Sequence, residues 1–176
     1  MNSQPHHELP TRAQCLLTNA FSILIVDDMK ANRMLLERLL GRVGYHTVEA
    51  ADGLSALSQL EACLPDLVIL DVEMPGIDGI EVVRRFRESE SEEEVAPLPI
   101  IIASGNPSEA MEESALEEGA DLFLTKPFDF PILLSEIRTM LRARRTVVDR
   151  VQRAKELESG DRVAPNTLSV ALSTKD

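Results

Sequence analysis

Two adjacent carboxylates, Asp27 and Asp28, follow the apolar run SILIV (22–26), and a third, Asp71, follows the apolar run LVIL (67–70). Ser104 comes directly after PIIIA (99–103), and Lys126 directly after DLFLT (121–125). If the four runs are strands of one open parallel sheet, all of these polar groups arrive at its carboxyl edge, where such sheets bind ligands. Three carboxylates crowded there repel one another and call for a cation. Hard oxygen ligands of this kind suit Mg²⁺, which takes one or two carboxylates, keeps waters and completes its shell with phosphate oxygens. A hydroxyl on Ser104 and an ammonium on Lys126 are donors for a phosphoryl group. With a carboxylate nucleophile among them, the set describes phosphoryl transfer to an aspartate.

The elements needed to position these groups are visible in the pattern. Strand-like runs at 22–26, 45–50, 67–70, 99–103 and 121–125 alternate with helical periodicity. The first helix carries Leu35, Leu36, Leu39, Leu40 and Val43, and the second follows Asp52 as a cap and is stopped by Pro65. The third carries Ile80, Val83 and Phe86; the fourth spans about 107–118, with Gly119 as its stop; the last starts near Asp129 and runs beyond Arg150. Five apolar strands without strict alternation, each followed by a helix, imply an α/β fold with a parallel sheet covered on both faces.

Composition sets the limits. In 176 residues, 44% are apolar, enough for one core, and 18 basic against 30 acidic side chains give a net charge of −12. That balance argues against direct binding of nucleic acid or an anionic membrane. Residues 1–129 hold 9 basic and 24 acidic side chains, whereas 130–163 hold 8 and 5, so the C-terminal segment has a different surface. The sequence offers neither a spanning apolar run nor a signal-peptide pattern at its start, so a cytoplasmic location is expected. Cys15 and Cys63 read as reduced thiols, Cys63 in the core, and His6, His7 and His46 have no zinc-ligand spacing. Residues 1–20 read as a loose tail, 21–142 as the globular domain, 143–158 as a helical extension and 159–176 as a tail or linker. The acidic stretch 88–97 reads as a solvated loop rather than a docking patch.

The motifs ILIVDD (23–28), LVILDVEMPGIDG (67–79), IIIASG (100–105) and LFLTKPF (122–128), in this order, resemble the receiver domain of bacterial two-component response regulators. The resemblance covers residues 22 to about 142. It implies a flavodoxin-like sheet of order 2-1-3-4-5, with Asp71 as phosphoacceptor. Asp28 would ligate Mg²⁺ directly, Asp27 through water, and Glu73 through its backbone carbonyl. Lys126 would pair with the phosphoryl group, Ser104 would hydrogen-bond it, and Phe123 would stand at the switch aromatic position, where Tyr is more frequent. Glu73 and Asn106 would flank the site at the two variable positions that tune phosphoryl lifetime. The implied partners are a histidine kinase or phosphotransfer protein and an output protein.

Each residue also has a plainer role open to it. Asp27 or Asp28 could cap a helix, Asp71 could start the turn at Pro75 and Gly76, Ser104 could be a turn hydroxyl, and Phe123 could simply pack. A receiver-like interaction module without phosphoryl turnover is one alternative function. An Asp-nucleophile phosphatase is another, disfavoured because the acid pair is contiguous rather than a DxD on the first strand. The GxxxxGK[ST] and GxGxxG phosphate cradles do not follow the first strand. Finally, Ile137, Met140, Val147, Val151 and Ala154 recur at helical steps past the length the fold needs, which points to pairing of the last helix with a second copy, against a frayed solvated helix.

Overall fold

The computed structural model describes residues 21–90 and 96–160. The order is β1 (Ser22–Val26), α1 (Lys30–Arg42), β2 (His46–Ala50), α2 (Gly53–Cys63), β3 (Leu67–Asp71), α3 (Gly79–Ser89), β4 (Ile100–Ser104), α4 (Glu109–Glu117), β5 (Leu122–Thr125) and α5 (Phe130–Gly160). All pairings are parallel, and the strand order is β2-β1-β3-β4-β5. The expected five-by-five alternation and strand order are therefore those of the molecule.

The strands are uniformly apolar because both faces of the sheet are covered. Side chains alternate along a strand. In β1, Leu24 and Val26 join Ala56, Leu60, Val82, Val83 and Ala115 under α2, α3 and α4, whereas Ile23 and Ile25 join Leu36, Leu40, Leu133, Ile137 and Leu141 under α1 and α5. Cys63 packs in the first of these cores and donates from Sγ to Gln59 Oε1 at 3.1 Å. Cys15, His6, His7, the tails at 1–20 and beyond 160, and the middle of the acidic stretch lie outside the described residues.

Helix starts follow local chemistry. Asp52 caps α2 in a reciprocal box with Ser55, and Asp78 accepts from the Glu81 N–H at 2.8 Å at the head of α3. The fourth helix starts two residues later than its periodicity suggests. Ser108 Oγ accepts from the Met111 N–H, which fixes the N-cap after Pro107. The turn from α4 into β5 is closed by Arg87, whose guanidinium donates to the carbonyls of Gly119 and Leu98 and pairs with Glu90 and Asp121.

Helix α5 commits its first half to the core. Leu133, Ile137 and Leu141, at steps of four, are fully or almost fully buried, each contributing on the order of 1.5–3 kcal/mol by leaving water. This corrects the outward seam expected for α5: Ile137 is 0% exposed and belongs to the sheet-facing side. Met140 is half-buried against the same core. Val147 is exposed, Val151 is half-buried and Ala154 is exposed, so the outward seam begins at Val147. Among the described residues, no helix is long and apolar enough to cross a membrane.

Candidate functional site

The chain lays β2 on one side of β1 and then β3, β4 and β5 on the other, so the connections leaving β1 and β3 diverge and open a crevice at the strands' carboxyl ends. Asp27 follows β1 there and Asp71 ends β3. Carboxylate oxygens of Asp27, Asp28 and Asp71 lie within 4.8 Å of one another. Asp27 is 2% exposed and Asp71 6%, while Asp28 is open to solvent.

Asp27 is held by a dense set of donors. Its Oδ1 accepts from the Met29 N–H at 2.8 Å, and Asn32 Nδ2 reaches both of its oxygens at 3.1 and 3.0 Å. Arg33 clamps the same loop, donating from Nη1 to the Asp27 carbonyl at 2.7 Å while its Nε pairs with Glu49 of β2 at 3.0 Å. The N-cap of α1 is Met29, without a side-chain cap bond, so neither aspartate is consumed in capping that helix.

Lys126 Nζ stands 2.7 Å from Asp27 Oδ2 and 3.0 Å from Asp71 Oδ2. Part of the cation that three crowded carboxylates require is thus the chain's own ammonium. Burial works to lower the Lys126 pKa, and the two carboxylates outweigh it, holding the ammonium above its ordinary value. Burial pushes the Asp71 carboxyl up to about 6, with Asp27 and Glu73 acting in the same direction and Lys126 against them.

The geometry also tests the fit of a divalent ion. Asp71 Oδ1 is buried with no hydrogen-bond partner, whereas buried polar atoms in folded proteins are as a rule satisfied. Its carboxylate belongs to a set of hard oxygen donors completed by exposed Asp28. The residues therefore suit Mg²⁺ in the way their types suggest.

Ser104 is fully buried at the end of β4, and its Oγ donates to Glu73 Oε1 at 2.6 Å. The same carboxylate accepts from the backbone N–H groups of Gly105 at 3.2 Å and Asn106 at 3.1 Å. Burial tends to raise the Glu73 pKa, but these hydrogen bonds prevail and hold it below the ordinary carboxylate value. Phe123, on β5, is half-buried against the core beneath α2, α3 and α4. Asp27, Asp28, Asp71, Lys126, Ser104 and Glu73 thus converge, whereas Val147, Val151 and Ala154 lie far along α5.

Sequence reasoning missed Asn32, Arg33 and the Glu73 side chain. Asn32 and Arg33 stand one helical turn into α1, facing back to the acid pair, and a polar pair at that distance was the available signal. The Glu73 contacts span 31 to 33 residues and depend on loop geometry.

The response regulator receiver domain family model matches residues 23–158. Response regulator MprA of Mycobacterium avium (strain 104) is 39% identical over 120 residues, covering 68% of this chain and 50% of that protein. The chain spans about half the length of the curated relatives it matches. Among solved structures, a CheY-like response regulator receiver domain protein from Methanospirillum hungatei JF-1 gives a TM-score of 0.67 at 25% identity, with 73% of this chain and 98% of that chain covered. The Francisella response regulator 1452 receiver domain gives 0.64 at 27% identity, with coverages of 70% and 98%. A match that runs from β1 into the extended α5, over a sheet that gathers an acid pair, a third aspartate and a lysine at one edge, leaves no other assignment: the chain belongs to the response regulator receiver domain family.

Proposed function

We infer that this receiver domain is a phosphorylation-controlled switch in which Asp71 accepts a phosphoryl group from a histidine kinase or phosphotransfer protein in the cytoplasm. The observation that carries this reading is the convergence of three carboxylates, two of them paired with the Lys126 ammonium, beside a buried Asp71 oxygen that has no partner.

An Asp71 carboxylate oxygen attacks the phosphorus of a phosphohistidine; the O–P bond forms as the N–P bond breaks, the electron pair stays on the imidazole nitrogen, and the imidazole leaves neutral, carrying the proton its other ring nitrogen held or one taken up from water. Asp27, Asp28, Asp71 and the Glu73 carbonyl would hold Mg²⁺, which when bound supplies charge neutralisation between carboxylates and phosphoryl oxygens. Lys126, already paired with Asp71, is placed to follow the phosphoryl charge, and Ser104 supplies a hydroxyl donor. The acyl phosphate carries about −1.5 to −2 charges in place of the single charge of the carboxylate, together with new acceptor oxygens, which bias the face made by α4, β5 and α5 through Ser104 and Phe123. That face, or pairing of α5 with a second copy, is the output.

Acetyl phosphate with Mg²⁺ tests the reading on the full chain. Intact mass should rise by one phosphoryl group mapped to Asp71, and Asp71→Asn should remain unlabelled. Turnover of the donor without an adduct would favour a phosphatase, no reaction would favour a binding module, and labelling of the variant at another residue would overturn the assignment.

A further inference from the structure

Ser104, the hydroxyl donor for a phosphoryl group on Asp71, is already engaged. Ser104 Oγ, the Gly105 N–H and the Asn106 N–H, from three consecutive residues at the end of β4 and just beyond it, all donate to the one carboxylate of Glu73, at 2.6, 3.2 and 3.1 Å. Asn106 N–H also reaches Ser104 Oγ at 3.1 Å, which ties the three into one cluster. Successive N–H groups turned to one point make a seat for an anion. Here the anion is a side chain, reaching from two residues beyond Asp71 across to the next strand.

Ser104 has a single O–H, so it cannot serve the Glu73 carboxylate and a phosphoryl oxygen at the same time. The two anions also repel. Glu73 is exposed, so water replaces its hydrogen bonds when it swings out, and its departure is a small step rather than a local unfolding.

We propose that the Glu73 carboxylate is an internal stand-in for the phosphoryl group, seated on Ser104, Gly105 and Asn106 in the unphosphorylated protein and displaced when Asp71 is modified. The proposal rests on Asp71 being the phosphoacceptor. It concerns the resting state: while Glu73 is seated, the site's apparent affinity for a phosphoryl-like anion falls in proportion to the fraction of molecules with the seat free. Side-chain length is part of the device, because an aspartate at this position is one methylene shorter and keeps the charge without the reach.

The test uses ¹⁵N-labelled full chain, with beryllofluoride and Mg²⁺ as the probe, read through the amide signals of Gly105 and Asn106. In wild type without the probe, these two amides should exchange slowly with solvent, and Glu73→Ala and Glu73→Asp should both speed their exchange. Beryllofluoride should bind Glu73→Ala about tenfold more tightly than wild type, the equivalent of one or two net hydrogen bonds, and Glu73→Asp should recover part of that gain. Unchanged amide exchange in Glu73→Ala, or unchanged or weaker beryllofluoride binding, overturns the proposal. So does Glu73→Asp binding as weakly as wild type while Glu73→Ala gains, since that isolates charge repulsion from occupancy of the seat. If wild type binds beryllofluoride and Glu73→Ala gains nothing, the stand-in alone falls. If neither wild type nor the variants bind, the phosphoacceptor reading falls with it.

Discussion

Gly79 lies against the backbone of Asp71 so closely that a β-carbon on it would run into the Asp71 carbonyl oxygen. Its N–H donates to the Val72 carbonyl at 3.1 Å, so the first residue of α3 is pinned onto the strand end that presents the candidate phosphoacceptor. Glycine is required here by contact rather than by backbone angle. Gly79→Ala should therefore cost about 1–3 kcal/mol through overpacking, and it should weaken Mg²⁺ binding as well, because the displaced backbone carries Asp71. Urea denaturation and an Mg²⁺ titration check this; a variant with wild-type stability would refute the contact.

Asp71 makes a prediction about pH. Its carboxyl titrates at about 6 when folded, against 3.8 as the ordinary value, chiefly because burial penalises the charge. Between these values the folded chain holds a proton that the unfolded chain has released, so ionised Asp71 costs stability progressively as pH rises from about 4. The cost is complete above about pH 6. Asp71→Asn escapes it, and in metal-free buffer should be more stable than wild type by on the order of 2 kcal/mol at pH 7.5, with the gain vanishing near pH 4. Urea melts at both pH values measure it, and a variant destabilised at pH 7.5 would contradict the sign.

Lys126 pairs with two of the three carboxylates and offsets one of their charges from within. Lys126→Met should lower the melting temperature in the presence of a chelator, because Asp27 and Asp71 are left buried against each other. The same variant should show a larger rise in melting temperature with Mg²⁺ than wild type does, since the metal then has more repulsion to relieve and binds the folded form alone. Asp28→Lys should abolish the rise. Equal Mg²⁺ shifts in wild type and Lys126→Met would mean that the ammonium and the metal site are uncoupled.

The sheet and the polar cluster were legible because both are written in short segments. A strand buried on both faces is a run of apolar residues, and the residue after it falls at the carboxyl edge whatever the packing, which places Asp27, Asp71, Ser104 and Lys126 without any tertiary information. The Glu73 contact was not legible: two loops after different strands must adopt particular shapes before its carboxylate meets Ser104. Periodicity also failed to orient α5. Ile137 belongs both to the series 133, 137, 141 and to the series 137, 140, 147, 151, and only docking on the sheet shows that the first is the inner face.

That orientation sharpens the expectation for the rest of α5. Arg144 still touches the domain, donating to the Pro65 carbonyl at 3.4 Å, and the Arg145 guanidinium lies 5.9 Å from the Phe21 ring centre. Beyond them Val147, Val148 and Leu157 are 41%, 44% and 76% exposed, with Val151 and Ala154 between them. An isolated helical segment of this length is marginal in water and gains stability by packing, and a second copy offers the same stripe under twofold symmetry. The full chain should therefore be dimeric, or more strongly dimeric when phosphorylated, because α5 also borders the face that phosphorylation biases. Truncation after Thr146 keeps Leu133, Ile137, Leu141, Arg144 and Arg145, and should give a folded monomer with nearly wild-type stability. Val147→Glu combined with Val151→Glu should do the same in the full chain. Sedimentation of the full and truncated chains, each with and without acetyl phosphate, decides the matter, and monomers in all four samples would refute the pairing.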